Sequence, residues 1–142
     1  MEENSKIVFY RLLRQNARGI KGEIFKLMST ENFNHSQINL ILHLRLNESR
    51  SLNKLSKIVQ VQKSNMTTLV DSLEKLKIVK RSRDENDRRS INLTLTESGE
   101  KVRQELAAEY EKNLSAILGD ISDSDIENAI KILQTIKDKI WG

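Results

Sequence analysis

Polar side chains form two clusters in the middle of the chain that could take part in molecular recognition. The first lies between residues 82 and 89, where three arginines and three acids occur within eight residues, before an alternating segment at 91–96. Guanidinium groups make directional, charge-assisted hydrogen bonds to anions such as phosphates. Because the neighbouring acids offset the positive charge, plain electrostatic attraction explains the pattern poorly, and a directional role for the arginines is favoured.

The second cluster lies at the start of a predicted helix. Its amide, hydroxyl and amine side chains are Gln62, Lys63, Ser64, Asn65, Thr67 and Thr68. Amides and hydroxyls both donate and accept hydrogen bonds, so they can read base edges in the major groove of DNA. Apolar residues interleave with them at helical spacing and are expected to face inward: Met66, Leu69, Val70, Leu73 and Leu76. The alternative is an ordinary solvated helix face.

Residues suited to catalysis or metal binding are sparse. The chain has no cysteine and two histidines, His35 and His43, and it has no glycine-flanked serine of the kind that forms a nucleophile elbow. A metal site built from these histidines and the acids Asp84, Glu85 and Asp87 remains an alternative, although no close pair of ligands is evident. We expect no catalysis, no cofactor and no bound metal.

The composition favours one soluble, helical domain. The chain has 142 residues, no proline, 37% hydrophobic and 31% charged residues, and a net charge of +4. Residues 53–89 alone hold ten Lys and Arg against five Asp and Glu, a net of +5, so the basic character lies in the segment with both clusters. No apolar run approaches the roughly 20 residues of a membrane span, and the first residues do not resemble a signal peptide. We expect a cytoplasmic protein.

Three long amphipathic helices are predicted to surround this segment. One spans about 5–28, one spans about 97–118, and the last begins near Ser122, where Asp125 would complete a variant capping box. The inward residues of the middle helix are Val102, Leu106, Tyr110, Leu114 and Ile117. The seams of the terminal helices comprise Tyr10, Leu13, Ala17, Ile20, Ile24 and Leu27, and Ile126, Ala129, Leu133, Ile136 and Ile140.

The seams of the terminal helices predict a symmetric homodimer, because each is a narrow apolar stripe at heptad spacing with little to cover it within one subunit. Packing within the subunit is the alternative. The residues expected at the dimer interface are Tyr10, Leu13, Ala17, Ile20, Ile126, Leu133, Ile136 and Ile140.

The order of elements in the middle predicts a winged helix-turn-helix. A cap at Asn34 with Gln37 opens a helix to about residue 47, Ser51 caps a short helix, and a turn through Gln60 and Val61 leads to the helix at 63–76. Two strands follow, Val79–Arg83 and Ile91–Leu95, joined by the arginine-bearing turn. The fold class is therefore mostly α with a small two- to three-stranded β wing, the winged helix-turn-helix lying between N- and C-terminal dimerisation helices.

The chain resembles the MarR family of bacterial winged-helix transcription regulators over nearly its whole length. The most specific likeness is the turn at 83–89 followed by 91–99, which is similar to the family's acid-rich DRR turn and LT-x-x-G ending. Segments 34–37, 63–64 and 69–74 support the same alignment. Gln60 and Lys77 stand where the family commonly has glycine, and each is expected to cost about 1 kcal/mol if the backbone there requires positive φ.

The resemblance implies one MarR-like domain over 1–142, with a DNA-binding region at 30–96 and a dimerisation region at 1–29 and 97–142. It implies that the wing binds DNA through Arg83, Asp87, Arg88 and Arg89. Arg88 would enter the minor groove, with Arg89 as the alternative, while Asp87 and Arg89 brace the turn through a charge-assisted hydrogen bond.

The resemblance further implies a homodimeric repressor on a pseudo-palindromic operator, associated with the nucleoid when bound to DNA. It would be released by a small aromatic or anionic effector in the cleft between the dimer helices and the winged helix. No membrane partner is expected. Two other functions stay open: a winged-helix protein-interaction module and a metal-sensing regulator.

Overall fold

A computed structural model describes residues 2–28 and 32–142 of the chain. Within these residues the chain forms six helices and a small sheet, which confirms the mostly helical class with a β wing. The elements in chain order are α1 Ser5–Leu27, α2 His35–Leu42, β1 Arg50–Ser51, α3 Leu52–Val59, α4 Lys63–Lys75, β2 Val79–Arg83, β3 Ile91–Leu95, α5 Glu97–Leu118 and α6 Asp123–Trp141.

The three strands form an antiparallel sheet in the order β1-β3-β2. The hairpin of β2 and β3 is in the register that sets Arg81 opposite Leu93 and Arg83 opposite Ile91. Leu93 and Leu95 are buried and Thr94 between them is half-buried, as the alternating sequence predicts, whereas Ile91 beside the turn is 39% exposed. The short β1 pairs with the outer edge of β3. The two longer strands of this sheet, β2 and β3, hold the two ends of the turn at 84–90.

The hydrophobic core lies between the sheet and helices α1 to α5. Its largest fully buried side chains are Ile24, Met28, Ile38, Leu40, Ile41, Leu44, Leu55, Met66, Leu73, Leu93 and Val70. Leu76 was predicted to face inward, and that prediction is wrong, because its side chain is 52% exposed. Lys77 adopts φ 60° and turns the chain immediately after α4, so the buried Ile78 takes the inward place.

The helix predicted over 34–47 ends five residues early, at Leu42. The early end directs Leu44 into the core and brings Leu46 to a bridge with Leu95 of β3. Asn47 then adopts φ 63°. The long-range contact with the sheet therefore outweighs local helix propensity at these positions.

Most of the predicted helix caps are confirmed. Asn34 and Gln37 form a complete capping box, with both hydrogen bonds at 2.9 Å. Ser51 caps α3, and Ser122 Oγ accepts from the Asp125 backbone N–H at 3.2 Å. At Ser122 only this one of the two bonds of a capping box is present among the described contacts, so the variant box is half formed.

The two turns on either side of α4 use left-handed backbone without glycine. Gln60 has φ 57° and Lys77 has φ 60°, so both departures from the family pattern fall at positions of positive φ. Gly99, by contrast, is required by a close approach: a Cβ there would lie 2.0 Å from the Ile78 carbonyl oxygen. The first turn of α5 is thereby seated directly on the start of β2.

The terminal helices leave apolar surface uncovered within the protomer. No residue of α6 is buried, and the exposed fraction is 59% for Tyr10 and 63% for Ile140. Of the inward face predicted for α5, Leu106 is buried and Val102, Tyr110 and Leu114 pack on the core, whereas Ile117 is exposed. None of the described helices combines the length and apolarity needed to cross a membrane.

Candidate nucleic-acid interface

Helix α4 presents the polar cluster to solvent. Met66, Leu69, Val70 and Leu73 are buried on its inner face, while all six predicted contact residues from Gln62 to Thr68 are exposed. Gln62 occupies the N-cap position without a side-chain capping bond, so its amide is available to a ligand. The N-terminal end of the helix carries unsatisfied backbone N–H groups and a partial positive charge, which suit an anion.

The acids of the wing shape the turn through its backbone. Asp87 Oδ1 accepts from the Arg89 backbone N–H at 3.0 Å, and its Oδ2 accepts from Ser90 Oγ at 3.2 Å. Asp84 Oδ1 accepts from the Asn86 backbone N–H at 3.0 Å. The predicted bracing bond between Asp87 and Arg89 is thus present, but it uses the main chain of Arg89 and leaves the guanidinium group free of it.

The three wing arginines make no ion pair within the part of the chain that the structure describes. Arg88 is exposed at the turn. Arg89 instead borders a cavity of about 170 Å³ between α3, α4 and β3, where Lys63 and Thr67 also lie. Two cations therefore face one small cavity, and Arg88 extends from the tip.

An ion-pair bridge joins the wing to α4. Arg81 of β2 contacts Asp71, and its Nε lies 3.4 Å from Glu74 Oε2. The Arg81 side chain is 27% exposed, so this pairing is partly shielded from solvent. It fixes the base of the hairpin against the helix that carries the polar cluster.

A larger cavity of about 510 Å³ lies between α1, α2, α3 and α5. Its lining residues are Ala17, Ile20, Lys21, Phe25, Asn39, Leu42, His43, Arg45, Ile58, Arg103, Ala107 and Tyr110. Four of them carry basic groups and two are aromatic, and none of these residues carries a carboxylate. The cavity therefore suits a small aromatic anion.

Arg103 is held in this cavity by Glu100. Its Nε donates to Glu100 Oε2 at 2.8 Å, in a bidentate pairing that leaves both side chains mostly buried. Arg103 holds the pKa of the Glu100 carboxyl below its ordinary value, chiefly through these hydrogen bonds, against the opposing effect of burial.

Sequence reasoning did not identify the residues of this cavity. One signal was available: Arg103 follows Glu100 by three residues and lies beside Val102 and Leu106 on the inner side of α5, where a charge is unusual. The two histidines lie apart from the wing acids: the ring of His35 is 5.8 Å from that of Phe25, and His43 Nδ1–H donates to the Asn39 carbonyl at 2.7 Å. Among the described residues, no three His, Asp or Glu side chains are grouped to hold a metal ion.

The chain is similar in sequence to known transcription regulators. Residues 33–91 match the model of the MarR family. The HTH-type transcriptional regulator BilQ of Clostridioides difficile is 26% identical over 98 residues, covering 69% of this chain and 66% of BilQ. The match therefore spans slightly less than two thirds of that relative.

Solved structures share the fold. The transcriptional regulator BldR of Sulfolobus solfataricus superposes with a TM-score of 0.78 at 24% identity, covering 99% of this chain and 100% of BldR. BpsR of Bordetella bronchiseptica, whose DNA binding is regulated by 6-hydroxynicotinic acid, gives 0.72 at 19% identity, covering 91% and 98%. The family match over residues 33–91, the sequence relative and the shared fold together show that this chain is similar to regulators of the MarR family.

Proposed function

We propose that the protein is a homodimeric transcription regulator that binds double-stranded DNA through α4 and the wing. The observation that carries the proposal is that the six polar residues at the start of α4 and the arginines of the wing turn are exposed and free of ion pairs among the described residues. A surface of amides, hydroxyls and free guanidinium groups suits base edges and phosphates.

The contacts divide between the two elements. Gln62, Ser64, Asn65, Thr67 and Thr68 would face bases and nearby phosphates when α4 enters the major groove, which is about 12 Å wide. Lys63 and Arg89, which border one small cavity, are suited to a backbone phosphate. Arg88 at the tip would then enter the narrow, electronegative minor groove, while Arg83 and Asp87 support the wing.

The homodimer would place two such surfaces on one face of the duplex. Recognition helices about 34 Å apart would meet successive major grooves of a pseudo-palindromic operator. In this proposal residues 30–96 form the DNA-binding region, and 1–29 with 97–142 form the dimerisation region of a single domain. Such a protein acts in the cytoplasm, at the nucleoid.

The cavity beside Arg103 is the proposed effector site. Its basic and aromatic lining suits an aromatic carboxylate, and the regulation of BpsR by 6-hydroxynicotinic acid supports this class of ligand. An effector releases DNA only if it binds one spacing of the two α4 helices better than the other. With 6-hydroxynicotinate as the probe, we expect weaker duplex binding by the wild type and a smaller effect in Lys21→Ala.

Repression is the proposed sign of regulation, because a dimer seated on an operator that overlaps a promoter excludes the polymerase. The decisive experiment selects bound duplexes from random sequence and searches for the selected site upstream of the protein's own coding region. A pseudo-palindromic consensus is expected. Failure to enrich any sequence would contradict the proposal and favour a protein-interaction role for the same face.

A further inference from the structure

Helix α2 forms part of the wall of the larger cavity. Asn39, Leu42 and His43 of this segment line the cavity of about 510 Å³, and all three are half-buried. His43 Nδ1–H donates to the Asn39 carbonyl oxygen at 2.7 Å, so the ring is fixed to the backbone of α2. A ligand that contacts this ring therefore also acts on the helix.

Aromatic contacts connect the same cavity to the first residue of α2. Phe25 and Tyr110 both line the cavity, and their rings meet edge to face with centroids 6.4 Å apart. The Phe25 ring also contacts the ring of His35, which begins α2, with centroids 5.8 Å apart. A ligand seated beside Phe25 therefore bears on the start of α2 as well as on its second half.

Gln37 joins α2 to α4 through a buried hydrogen bond. Its amide nitrogen donates to Ser72 Oγ at 3.1 Å, while its amide oxygen accepts from the Asn34 backbone N–H and closes the capping box of α2. Ser72 Oγ donates in turn to the Leu69 carbonyl at 2.6 Å, within α4. Because Gln37 is only 9% exposed, water does not readily replace this bond. Apolar packing is non-directional, whereas this bond fixes one position of α4 against α2.

We propose that the Gln37–Ser72 bond couples the cavity beside Arg103 to the position of α4; this inference rests on the proposed function. A ligand in the cavity displaces α2, and α4 follows because the buried bond joins the two helices. The exposed residues at the start of α4 then no longer fit the major groove. Gln37 and Ser72 are positioning residues, since neither lines the cavity or belongs to the exposed polar cluster.

Helix α3 offers a competing route, because it leads directly into α4 through the turn at Gln60. Its contribution to the cavity wall is one side chain, Ile58, which is 48% exposed. Helix α2 contributes several residues and, in addition, contacts an aromatic residue of the wall. The geometry therefore favours α2, and a route through α3 would be unaffected by loss of the Ser72 hydroxyl.

Ser72→Ala tests the coupling, because it removes the acceptor and leaves the capping box of α2 in place. The coupling factor is the ratio of the Kd for a selected duplex with saturating 6-hydroxynicotinate to the Kd without it, measured by fluorescence anisotropy on the full-length chain. We expect a factor of at least about 5 in wild type and in Ser72→Thr, which keeps the hydroxyl, and below about 2 in Ser72→Ala. Ser56→Ala is the matched control: its buried hydroxyl donates within its own helix, to the Asn53 carbonyl at 2.8 Å, and its factor should equal that of wild type.

A second readout needs no effector, because coupling between two sites is reciprocal. Duplex binding should shift the imidazole nitrogen NMR signals of His43 in wild type. The shift should be much smaller in Ser72→Ala, and also in Gln37→Met, which removes the donor instead of the acceptor. If 6-hydroxynicotinate does not bind, the effector proposal fails for that ligand, and the His43 signals still decide whether the bond couples the two sites.

The possible outcomes separate the coupling from the proposed function. Equal His43 shifts in wild type and Ser72→Ala, no shift in wild type, or an unchanged coupling factor in Ser72→Ala would overturn the inference while leaving DNA binding in place. An equal loss of coupling in Ser56→Ala would assign the effect to general destabilisation and would overturn it as well. A wild-type chain that binds no duplex would overturn the proposed function itself, and the inference with it.

Discussion

The side-chain amide of Gln37 donates a hydrogen bond of 3.1 Å to Ser72 Oγ, joining the start of α2 to the last turn of α4. Ser72 Oγ in turn donates to the Leu69 carbonyl at 2.6 Å, while Gln37 Oε1 accepts from the Asn34 backbone N–H. Gln37 is almost fully buried. This chain of bonds therefore holds the helix with the proposed base-reading residues at a fixed position against α2.

Replacing Ser72 should destabilise the fold. Ser72→Ala leaves the buried Gln37 amide without this acceptor, which costs about 1–3 kcal/mol in the free energy of unfolding. Urea unfolding measures the change. Ser64→Ala, an exposed serine on the same helix, is the matched control and should stay within about 0.5 kcal/mol of wild type. Equal effects of the two substitutions would show that the bond to Gln37 contributes nothing specific.

Glycine at the two left-handed turns should stabilise the protein. Gln60 and Lys77 have φ of 57° and 60°, and a side chain in this region costs about 1 kcal/mol relative to glycine. Gln60→Gly and Lys77→Gly should each raise the melting temperature by roughly 2–4 °C. Asn47→Gly should gain less, because asparagine tolerates this conformation better. Lower melting temperatures for both variants would show that these side chains make compensating contacts.

Local patterns in the sequence were sufficient to predict the hairpin, the caps at Asn34 and Ser51, and the buried face of α4. Each depends on alternation, helical spacing or turn chemistry within a few residues. The early end of α2 was not predictable, because it depends on Leu46 reaching a strand about 50 residues later. Leu76 was misassigned because its exposure follows from the turn at Lys77 rather than from helical spacing.

Two side-chain bridges of the site, Gln37 with Ser72 and Arg81 with Asp71, could not be predicted from the sequence either, because their partners lie far apart along the chain or meet only after folding. Gln37 and Ser72 are 35 residues apart, and Arg81 meets Asp71 only when the hairpin folds back on α4. The residues at 82–89 predicted a directional role for the wing arginines. They did not predict that the acids of the turn would bond to the backbone and leave the guanidinium groups without an ion pair among the described residues. The two side-chain bridges depend on tertiary packing, which one sequence does not encode in a readable pattern. The bonds of Asp84 and Asp87 reach only two residues along the chain and are local turn chemistry.

Acid should remove the stability that the Glu100–Arg103 pair gives to the fold. Because the pKa of Glu100 is lowered in the folded state, the pairing stabilises the fold fully above the ordinary glutamate pKa of about 4.3, and this stabilisation is lost as the pH falls through the lowered value. Glu100→Gln should lower the melting temperature at pH 7 and show a smaller further loss on acidification. Melting curves from pH 3 to 7 test this, with Glu111→Gln as an exposed control. An unchanged pH profile in Glu100→Gln would contradict the assignment.

The two arginines at the tip should differ in their effect on DNA binding. Arg88→Ala should weaken binding by about 1–3 kcal/mol, and most for duplexes with an A·T-rich segment under the wing, because a guanidinium in a narrow minor groove senses its width. Arg89→Ala should weaken binding to all duplexes evenly, as loss of a phosphate contact does. Fluorescence anisotropy on two duplexes differing only under the wing separates the cases. The reverse pattern would exchange the roles of the two arginines.

Salt dependence of duplex binding tests the central claim most directly. If α4 and both wings of a dimer contact several phosphates, the logarithm of the binding constant for a selected palindromic duplex should fall linearly with the logarithm of salt concentration, with a slope of about −0.9 for each phosphate neutralised. Lys63→Ala should make that slope shallower by about 1 to 2, since a dimer loses two such contacts. A binding constant that does not change with salt, or that is equal for a scrambled duplex, would contradict sequence-specific DNA binding by this protein.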